Sequence, residues 1–328
     1  MVFCSFLFNY PTMFNHFFAL ARHKNQWYWY ILAVVIILFF AFIFSLPVLS
    51  LADFRGIKDT SKNLTAKDLG LSDALFLGIE MLPSIGLTLG VIASAWLLHK
   101  RPWKSLITAY PHIRWERYFF GNLLWLGLMI GGELITYSMN PDNYVFQFEV
   151  TQFVALLIIS VLVIPLQAAG EELFFRGYLM QGIGWGTKSP LIALVITSIG
   201  FGLLHLANPE IEKYGQEFIV TYVIMGLFFG IIALMDDGLE LAIGVHTINN
   251  MYNSVLVSFP GSVLELPTVF KIKEYNAWLN FGIGVVIFTF FIWICAKKYG
   301  WTDWNKITRK ITDPNLTDIS ASDLVTGN

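Results

Sequence analysis

The stretch VTQFVALLIISVLVIPLQAAG, residues 150–170, runs directly into Glu171-Glu172-Leu173-Phe174-Phe175-Arg176. About 20 apolar residues in a helix cross the hydrocarbon core of a bilayer, so this run predicts a membrane-spanning helix. Three charges stand at its end. An ionised side chain inside a bilayer costs at least about 2.5–3.5 kcal/mol, and such groups persist when they are paired, hydrated or chemically used. Two adjacent carboxylates and a nearby arginine therefore predict a functional site within the membrane.

The composition extends this prediction to the whole chain. Of 328 residues, 56% are hydrophobic and only 13% are charged, whereas soluble domains carry about 25% charged residues. Windows of about 20 apolar residues indicate the positions of membrane spans. The predicted fold is an all-α polytopic membrane bundle of about eight transmembrane helices. The predicted spans lie near residues 28–51, 73–98, 118–139, 150–170, 190–207, 218–235, 239–259 and 277–296.

The chain divides into five predicted segments. Residues 1–26 repeat aromatic side chains at three- and four-residue spacing, which indicates an amphipathic helix lying in the membrane interface, with a disordered start as the alternative. Residues 27–149 hold the first three spans, residues 150–260 the charged core, and residues 261–300 the last span. Residues 301–328 begin basic and end polar and acidic, which predicts a solvated cytoplasmic tail.

Charge and cysteine content exclude several classes of protein. The formal net charge of -2 argues against a basic surface for nucleic acid, so the lipid bilayer is the expected partner and nucleic acid is not. Cys4 and Cys295 stand near opposite ends of the chain and form neither a disulfide framework nor a zinc cluster. Most of the 21 lysines and arginines fall in one set of alternate segments, above all in the loop 99–117. By the positive-inside rule, both termini are expected to be cytoplasmic.

Two later segments place further polar groups within predicted spans. His205 closes the sequence Phe201-Gly202-Leu203-Leu204-His205, and His246 stands four residues before Asn250. Residues four apart share one face of a helix, which applies to His246 and Asn250.

The same spacing relates the charged residues at the end of the fourth predicted span. Glu172 and Arg176 are four apart and are expected to pair along their helix. Glu171 projects about 100° away from Glu172 on the helical wheel, which leaves it free to face another group. Glu80 and Glu133, two further acids within predicted spans, have no assigned role, and structural pairing or a water pocket is the default explanation.

Each of these residues also has a structural explanation. Glu172 with Arg176 can be a neutralised pair, His205 a core imidazole, and His246 with Asn250 interhelical hydrogen bonds worth about 0.6 kcal/mol. Their combination permits hydrolysis, because a carboxylate and an imidazole can deprotonate a water molecule. A second imidazole and a carboxamide can then donate hydrogen bonds to the oxyanion. The sequence contains neither His-Glu-x-x-His nor Gly-x-Ser-x-Gly, so the familiar zinc and serine hydrolase motifs are absent.

These motifs resemble those of the CAAX proteases and bacteriocin-processing enzymes, the Abi or CPBP family of intramembrane proteases. The family pattern is Glu-Glu-x-x-x-Arg, Phe-x-x-x-His and His-x-x-x-Asn or Asp, and the chain supplies all three motifs in this order within roughly residues 150–260. The resemblance implies a bundle of about eight helices whose cavity opens to the cytosol. It also implies an endopeptidase acting on a peptide or a membrane protein, here expected in a bacterial plasma membrane.

The resemblance further implies a role for each residue of the motifs. Glu171 is the base and His205 its partner, while His246 and Asn250 serve the oxyanion. The supporting residues are Glu172 and Arg176. No cofactor is certain, although Glu171, His205 and His246 can in principle ligate a divalent metal such as zinc. We expect the metal-free route.

Two other functions stay open at this point. One is a non-enzymatic immunity or regulatory protein of the same fold, against which the intact set of motifs argues. The other is a proton-coupled transporter, because intramembrane Glu and His residues form proton relays. The lack of repeated halves, which are common in transporters, argues against it.

The depth of the motifs poses a geometric problem. At 1.5 Å per residue, Glu171 and His205 both lie about 22–24 Å from the predicted turn 186–190, whereas His246 lies only about 9 Å from the turn 236–240. These groups meet only if the hairpin around residues 186–190 protrudes or if one of its helices is broken.

Overall fold

The computed structural model describes Phe18, residues 26–59 and residues 64–312. The predicted interfacial segment 1–26 therefore lies outside the described residues except for Phe18 and Gln26, as does the predicted tail from residue 313. Helices dominate the described part, and the three strands are only two or three residues long. The helices are α1 (Trp27–Phe54), α2 (Ala66–Leu69), α3 (Asp73–Glu80), α4 (Leu82–Leu97), α5 (Trp115–Met139), α6 (Val150–Thr187), α7 (Pro190–Leu204), α8 (Pro209–Tyr214), α9 (Glu217–Asp236), α10 (Glu240–Val255) and α11 (Ala277–Tyr299).

Six spans in the described part are long and apolar enough to cross a membrane: α1, α3 with α4, α5, α6, α9 and α11. The prediction of an all-α polytopic membrane bundle is thereby confirmed, whereas the count of eight spans is not. Helix α7 has 15 residues, fewer than the roughly 17 needed to span a bilayer. Helix α10 has 16 residues and is buried along most of its length, so protein surrounds it where lipid was expected.

Helix α6 is the longest element. Its 38 residues rise about 57 Å, well beyond the roughly 30 Å of a hydrocarbon core. A π-helical stretch, Leu173–Met180, follows the two glutamates directly, and such stretches are frequent at functional sites. Helix α6 ends at Thr187, and the next residue, Lys188, has a left-handed φ of 57°. Ser189 then caps α7 by accepting a hydrogen bond from the backbone amide of Ile192.

The long helix solves the depth problem posed by the sequence. His246 lies about 9 Å from the start of α10, and Glu171 lies about 24 Å from the end of α6. Because the two side chains approach within 3.8 Å, the longer stretch of α6 beyond Glu171 carries the α6–α7 turn past the α9–α10 turn, by up to about 15 Å where the helix axes are parallel. Of the two alternatives, the protruding hairpin is the one present.

Helix α10 sits at the centre of the bundle between α5 and α6. Its approach to α5 is close enough to require glycine, because a Cβ at Gly244 would collide with the carbonyl oxygen of Tyr118. At Gly121, on the facing side of α5, a Cβ would lie 2.8 Å from the carbonyl oxygen of Leu241. The close contact with α5 holds α10 where its polar face, with His246, lies against Glu172 of α6.

Small caps close the two ends of the bundle. At one end, strands β1 (Tyr144–Phe146), β2 (Val257–Ser258) and β3 (Phe270–Ile272) form a sheet of order β1-β3-β2, antiparallel between β1 and β3 and parallel between β2 and β3.

At the other end of the bundle, buried ion pairs join the loops. Arg114 pairs with Glu240 at 2.6 Å and with Asp236 at 2.9 Å. Lys306 binds Asp237 at 2.6 Å, and burial raises the pKa of the Asp237 carboxyl although Lys306 opposes the shift.

Candidate active site

The two glutamates end the α-helical part of α6, and Glu172 forms the buried ion pair that its spacing predicts. The Nη1 atom of Arg176 donates to Glu172 Oε1 at 3.0 Å, and both side chains have no solvent exposure. The second terminal nitrogen of Arg176, Nη2, donates to the carbonyl oxygen of Gly226 on α9 at 2.9 Å. The pair therefore fastens α6 to α9.

Aromatic rings enclose the guanidinium group. Arg176 Cζ lies 4.7 Å from the ring centre of Phe201 and 5.4 Å from that of Phe229, distances at which a cation is attracted to the ring face. The Phe201 ring also contacts both histidine rings, His205 at 4.7 Å and His246 at 6.1 Å between ring centres. Phe201, the first residue of the second motif, thus packs against three of the predicted site residues.

His246 lies between the two carboxylates. Its Nδ1 is 2.9 Å from Glu172 Oε1 and its Nε2 is 3.8 Å from Glu171 Oε2. An ionised carboxylate only accepts hydrogen bonds, so Nδ1 carries the proton that it donates to Glu172. The ring stacks on Phe229 at 5.0 Å and 15°, which fixes its plane and directs Nε2 toward Glu171.

Glu171 is held through one oxygen only. Its Oε1 accepts a hydrogen bond of 2.5 Å from Gln167 Nε2, one helical turn earlier. Its Oε2 is buried and has no hydrogen-bond partner among the described residues. A carboxylate oxygen so placed is an available acceptor for a proton.

His205 follows the last residue of α7. Its Nδ1 lies 2.7 Å from the carbonyl oxygen of Phe201. A carbonyl oxygen can only accept a hydrogen bond, so Nδ1 carries the proton of the neutral ring and Nε2 carries the lone pair. The ring stacks on Tyr222 at 4.1 Å and 17°. His205 and His246 both contact the ring of Phe201, which places His205 in the same cluster.

Asn250 reaches Glu171 through one intermediate. Its Nδ2 donates to Gln167 Oε1 at 2.9 Å, and Gln167 donates in turn to Glu171. All six residues singled out in the sequence therefore lie in one cluster built from α6, α7 and α10. Gln167 was missed, although an amide four residues before Glu171 in an otherwise apolar run is a detectable signal.

Glu133 lies outside this cluster. Its Oε1 accepts from the hydroxyl group of Tyr144 at 2.6 Å, and its Oε2 accepts from that of Tyr252 at 3.3 Å. These bonds tie α5 to β1 and to α10. Its role is structural.

Glu171, His205 and His246, the possible metal ligands, are not arranged as a metal site in the described part of the chain. Among the described residues, no three His, Cys, Asp or Glu side chains are arranged to hold a metal ion. His205 and His246 each use Nδ1 for a protein hydrogen bond, which leaves Nε2 as the nitrogen of each ring that could bind a metal. In this conformation Glu171, His205 and His246 do not fit a zinc site, which needs three or four ligands at about 2.0–2.3 Å.

Comparisons with known proteins agree with the motifs. The family model of the Rce1-like type II CAAX prenyl endopeptidases matches residues 151–252, which include all six site residues. The uncharacterized protein YyaK of Bacillus subtilis is 31% identical over 238 residues, which cover 70% of this chain and 79% of that protein. An uncharacterized protein of Mycoplasma capricolum is 24% identical over 145 residues, 43% of this chain and 40% of that protein. No solved structure matches the chain.

Proposed function

Since this chain belongs to the Rce1-like family of CPBP intramembrane proteases, we propose that the cluster around Glu171 is its active site and hydrolyses a peptide bond near the cytosolic membrane interface. The family identifies a protease-type enzyme, and the apolar helices place it in a lipid bilayer. Its proposed substrate is a peptide or a membrane protein.

One observation carries the assignment of the base. Glu171 Oε2 is buried without a hydrogen-bond partner among the described residues, 3.8 Å from His246 Nε2. Leaving a buried acceptor unsatisfied costs about 1–3 kcal/mol, and more for a charged group. Glu172 also has a buried oxygen without a partner among the described residues, Oε2, but its side chain is fully buried and its Oε1 contacts both Arg176 and His246. Glu171 has no arginine partner among the described residues and its side chain keeps 11% exposure, which supports Glu171 as the group that takes a proton from water.

In the proposed reaction, a water molecule binds between Glu171 and the Nε2 lone pair of His205. Glu171 Oε2 removes a proton, and the resulting hydroxide attacks the carbonyl carbon of the scissile peptide bond. The carbon–nitrogen bond then breaks, and the proton passes from Glu171 to the leaving amine. General-base catalysis of this type contributes about 10²–10⁴ in rate.

The oxyanion receives its hydrogen bonds from α10. Asn250 keeps one N–H beyond the bond to Gln167. His246 donates Nδ1–H to Glu172, so it can donate from Nε2 as well only as an imidazolium. Its ring lies between the carboxylates of Glu171 and Glu172. Glu172 therefore serves the oxyanion through His246.

Mass spectrometry of peptide termini tests the proposed function. Membranes from cells that produce the wild type, the Glu171→Gln variant or neither are compared, at equal protein abundance by immunoblot. We expect new C-termini and their released fragments with the wild type alone. Identical sets of termini in all three membranes would overturn the proposal.

A further inference from the structure

Four side-chain hydrogen bonds lead from a buried tryptophan to the proposed base. Trp125 Nε1 donates to Asn249 Oδ1 at 3.4 Å, and Asn249 Nδ2 donates to Asn250 Oδ1 at 3.2 Å. Asn250 Nδ2 donates to Gln167 Oε1 at 2.9 Å, and Gln167 Nε2 donates to Glu171 Oε1 at 2.5 Å. We call these five residues the amide chain.

The direction of the amide chain is fixed at both ends. The indole N–H of Trp125 can only donate, and the ionised carboxylate of Glu171 can only accept. Each of the three carboxamides between them must therefore accept on the Trp125 side and donate on the Glu171 side. The orientation of an isolated Asn or Gln amide is ambiguous by a two-fold flip, but these two end groups remove the ambiguity.

The amide chain begins at Trp125, whose side chain is held in place by its neighbours. The Trp125 side chain is 4% exposed, and its ring stacks on Phe288 at 5.5 Å and lies 5.2 Å from Phe228. The chain then crosses from α5 to α10 and from α10 to α6. Three helices thus determine where the Gln167 amide stands.

The head-to-tail order has an electrostatic consequence at Glu171. Aligned hydrogen bonds polarise one another in a low dielectric, and the last bond ends on a charge. This bond satisfies Oε1 and fixes the plane of the carboxylate, while Oε2 stays without a partner among the described residues.

We propose that Gln167 is a positioning residue for the proposed hydrolysis, and that Trp125, Asn249 and Asn250 orient it. Gln167 holds Glu171 by one oxygen and presents the other to water. Because Asn250 belongs to the amide chain, the same series of hydrogen bonds orients both the proposed base, Glu171, and the proposed oxyanion donor, Asn250. This inference rests on the proposed function for its kinetic consequence, although the hydrogen bonds can be tested without it.

The kinetic test uses Gln167→Met, which keeps the length and the apolar stem of the side chain but loses both hydrogen bonds. We expect kcat to fall about 10- to 100-fold, as for one bond to a charged group, with KM little changed; because Glu171 Oε1 and Asn250 Nδ2 lose their partners, the unfolding temperature should fall as well, and rates are compared well below it. In a Glu171→Gln background the same substitution should lower kcat no further, because the base that it positions is gone. An undiminished kcat, or losses that simply add, would overturn the proposal.

Trp125→Phe tests the far end of the amide chain. It retains an aromatic ring against Phe228 and Phe288 and removes the first donor, so we expect kcat to fall about 2- to 10-fold, the range for a neutral hydrogen bond. Trp293→Phe is the matched control, because Trp293 is 54% exposed on α11 and stacks on Phe290 instead. Equal kcat values for both variants would contradict a contribution from the indole.

Infrared spectroscopy separates this inference from the proposed function. The difference spectrum of wild type minus Glu171→Gln isolates the carboxylate bands of Glu171, and Gln167→Met should shift them. A wild type that cleaves nothing but shows the shift would overturn the proposed function alone. Unshifted bands would overturn the amide chain.

Discussion

Glu171 and Glu172 are adjacent and chemically identical, yet the helix gives them different surroundings. A rotation of about 100° per residue turns Glu172 toward Arg176 and His246, and Glu171 toward Gln167. Glu172 is fully buried and paired with Arg176, whereas the Glu171 side chain has no arginine partner among the described residues and keeps 11% exposure. We therefore expect substitutions at the two positions to fail in different ways.

Glu172→Gln tests the structural half of this expectation. The variant leaves the Arg176 guanidinium without its carboxylate at zero exposure, and breaking a buried pair costs about 3–5 kcal/mol. We expect the unfolding temperature in detergent micelles to drop clearly below that of the wild type. Glu171→Gln is the control and should unfold near the wild-type temperature. Equal unfolding of Glu172→Gln and wild type would refute the structural role of the pair.

Asn250→Ala and chelators together test the metal-free route. Removing one oxyanion donor costs about 10²–10³ in kcat, and Asn250 is also part of the amide chain, so we expect kcat to fall by at least this factor with little change in KM. Because no three His, Cys, Asp or Glu side chains among the described residues are arranged to hold a metal ion, activity should survive strong chelators, and added zinc should not increase it.

A metal-dependent reaction would give the opposite results in these experiments. Stoichiometric metal in purified active protein, lost in His246→Ala and accompanied by reversible inhibition by chelators, would establish a metal route. Metal analysis of both proteins after the same purification makes the comparison direct.

At the scale of elements, the sequence predicted every helix that carries a site residue but not what surrounds each one. Hydropathy measures how apolar a window is and does not distinguish a lipid neighbour from a protein neighbour. For this reason the windows 190–207 and 239–259 predict spans, whereas α7 has only 15 residues and α10 is buried among other helices. The window at 150–170 ended at the charges, although α6 continues to Thr187.

Gly244→Ala tests the close approach of α10 to α5. A methyl group at this position meets the backbone carbonyl oxygen of Tyr118, which cannot rotate away. Overpacking of this kind costs about 1–3 kcal/mol, and the displaced helix carries His246. We expect lower stability and lower kcat together. Gly131→Ala on α5 is the matched control, because a Cβ there meets nothing within 4 Å; equal behaviour of the two variants would contradict the close contact.

At the scale of the whole molecule, the sequence predicted contacts along one helix better than contacts between helices. Glu172 with Arg176, and the shared face of His246 and Asn250, follow from four-residue spacing alone. The bond from Asn250 to Gln167 joins residues 83 positions apart, and no local period reveals it. The six residues that the resemblance names lie in one cluster, whereas the amide chain could be found only from the three-dimensional arrangement.

The orientation of the molecule in its membrane is a prediction from charge. The loop 99–117 carries Lys100, Arg101, Lys104, Arg114 and Arg117, and the loop 140–149 carries no lysine or arginine, so the first should face the cytoplasm. Single cysteines at the exposed positions His112 and Asp142, in a background without Cys4 and Cys295, report the side. Impermeant thiol reagents added to intact cells should label Asp142→Cys alone. Labelling of His112→Cys from outside would reverse the orientation.

The central claim is that Glu171 activates the water that cleaves the peptide bond, and the turnover of Glu171→Gln tests it most directly. The substitution keeps the size of the side chain and removes the base. Once a substrate has been identified from its new termini, single-turnover cleavage by purified wild type and variant is compared at matched unfolding temperatures. The account predicts a fall of at least about 100-fold in the variant, the lower end for loss of a general base. Cleavage at the wild-type rate by Glu171→Gln would contradict it.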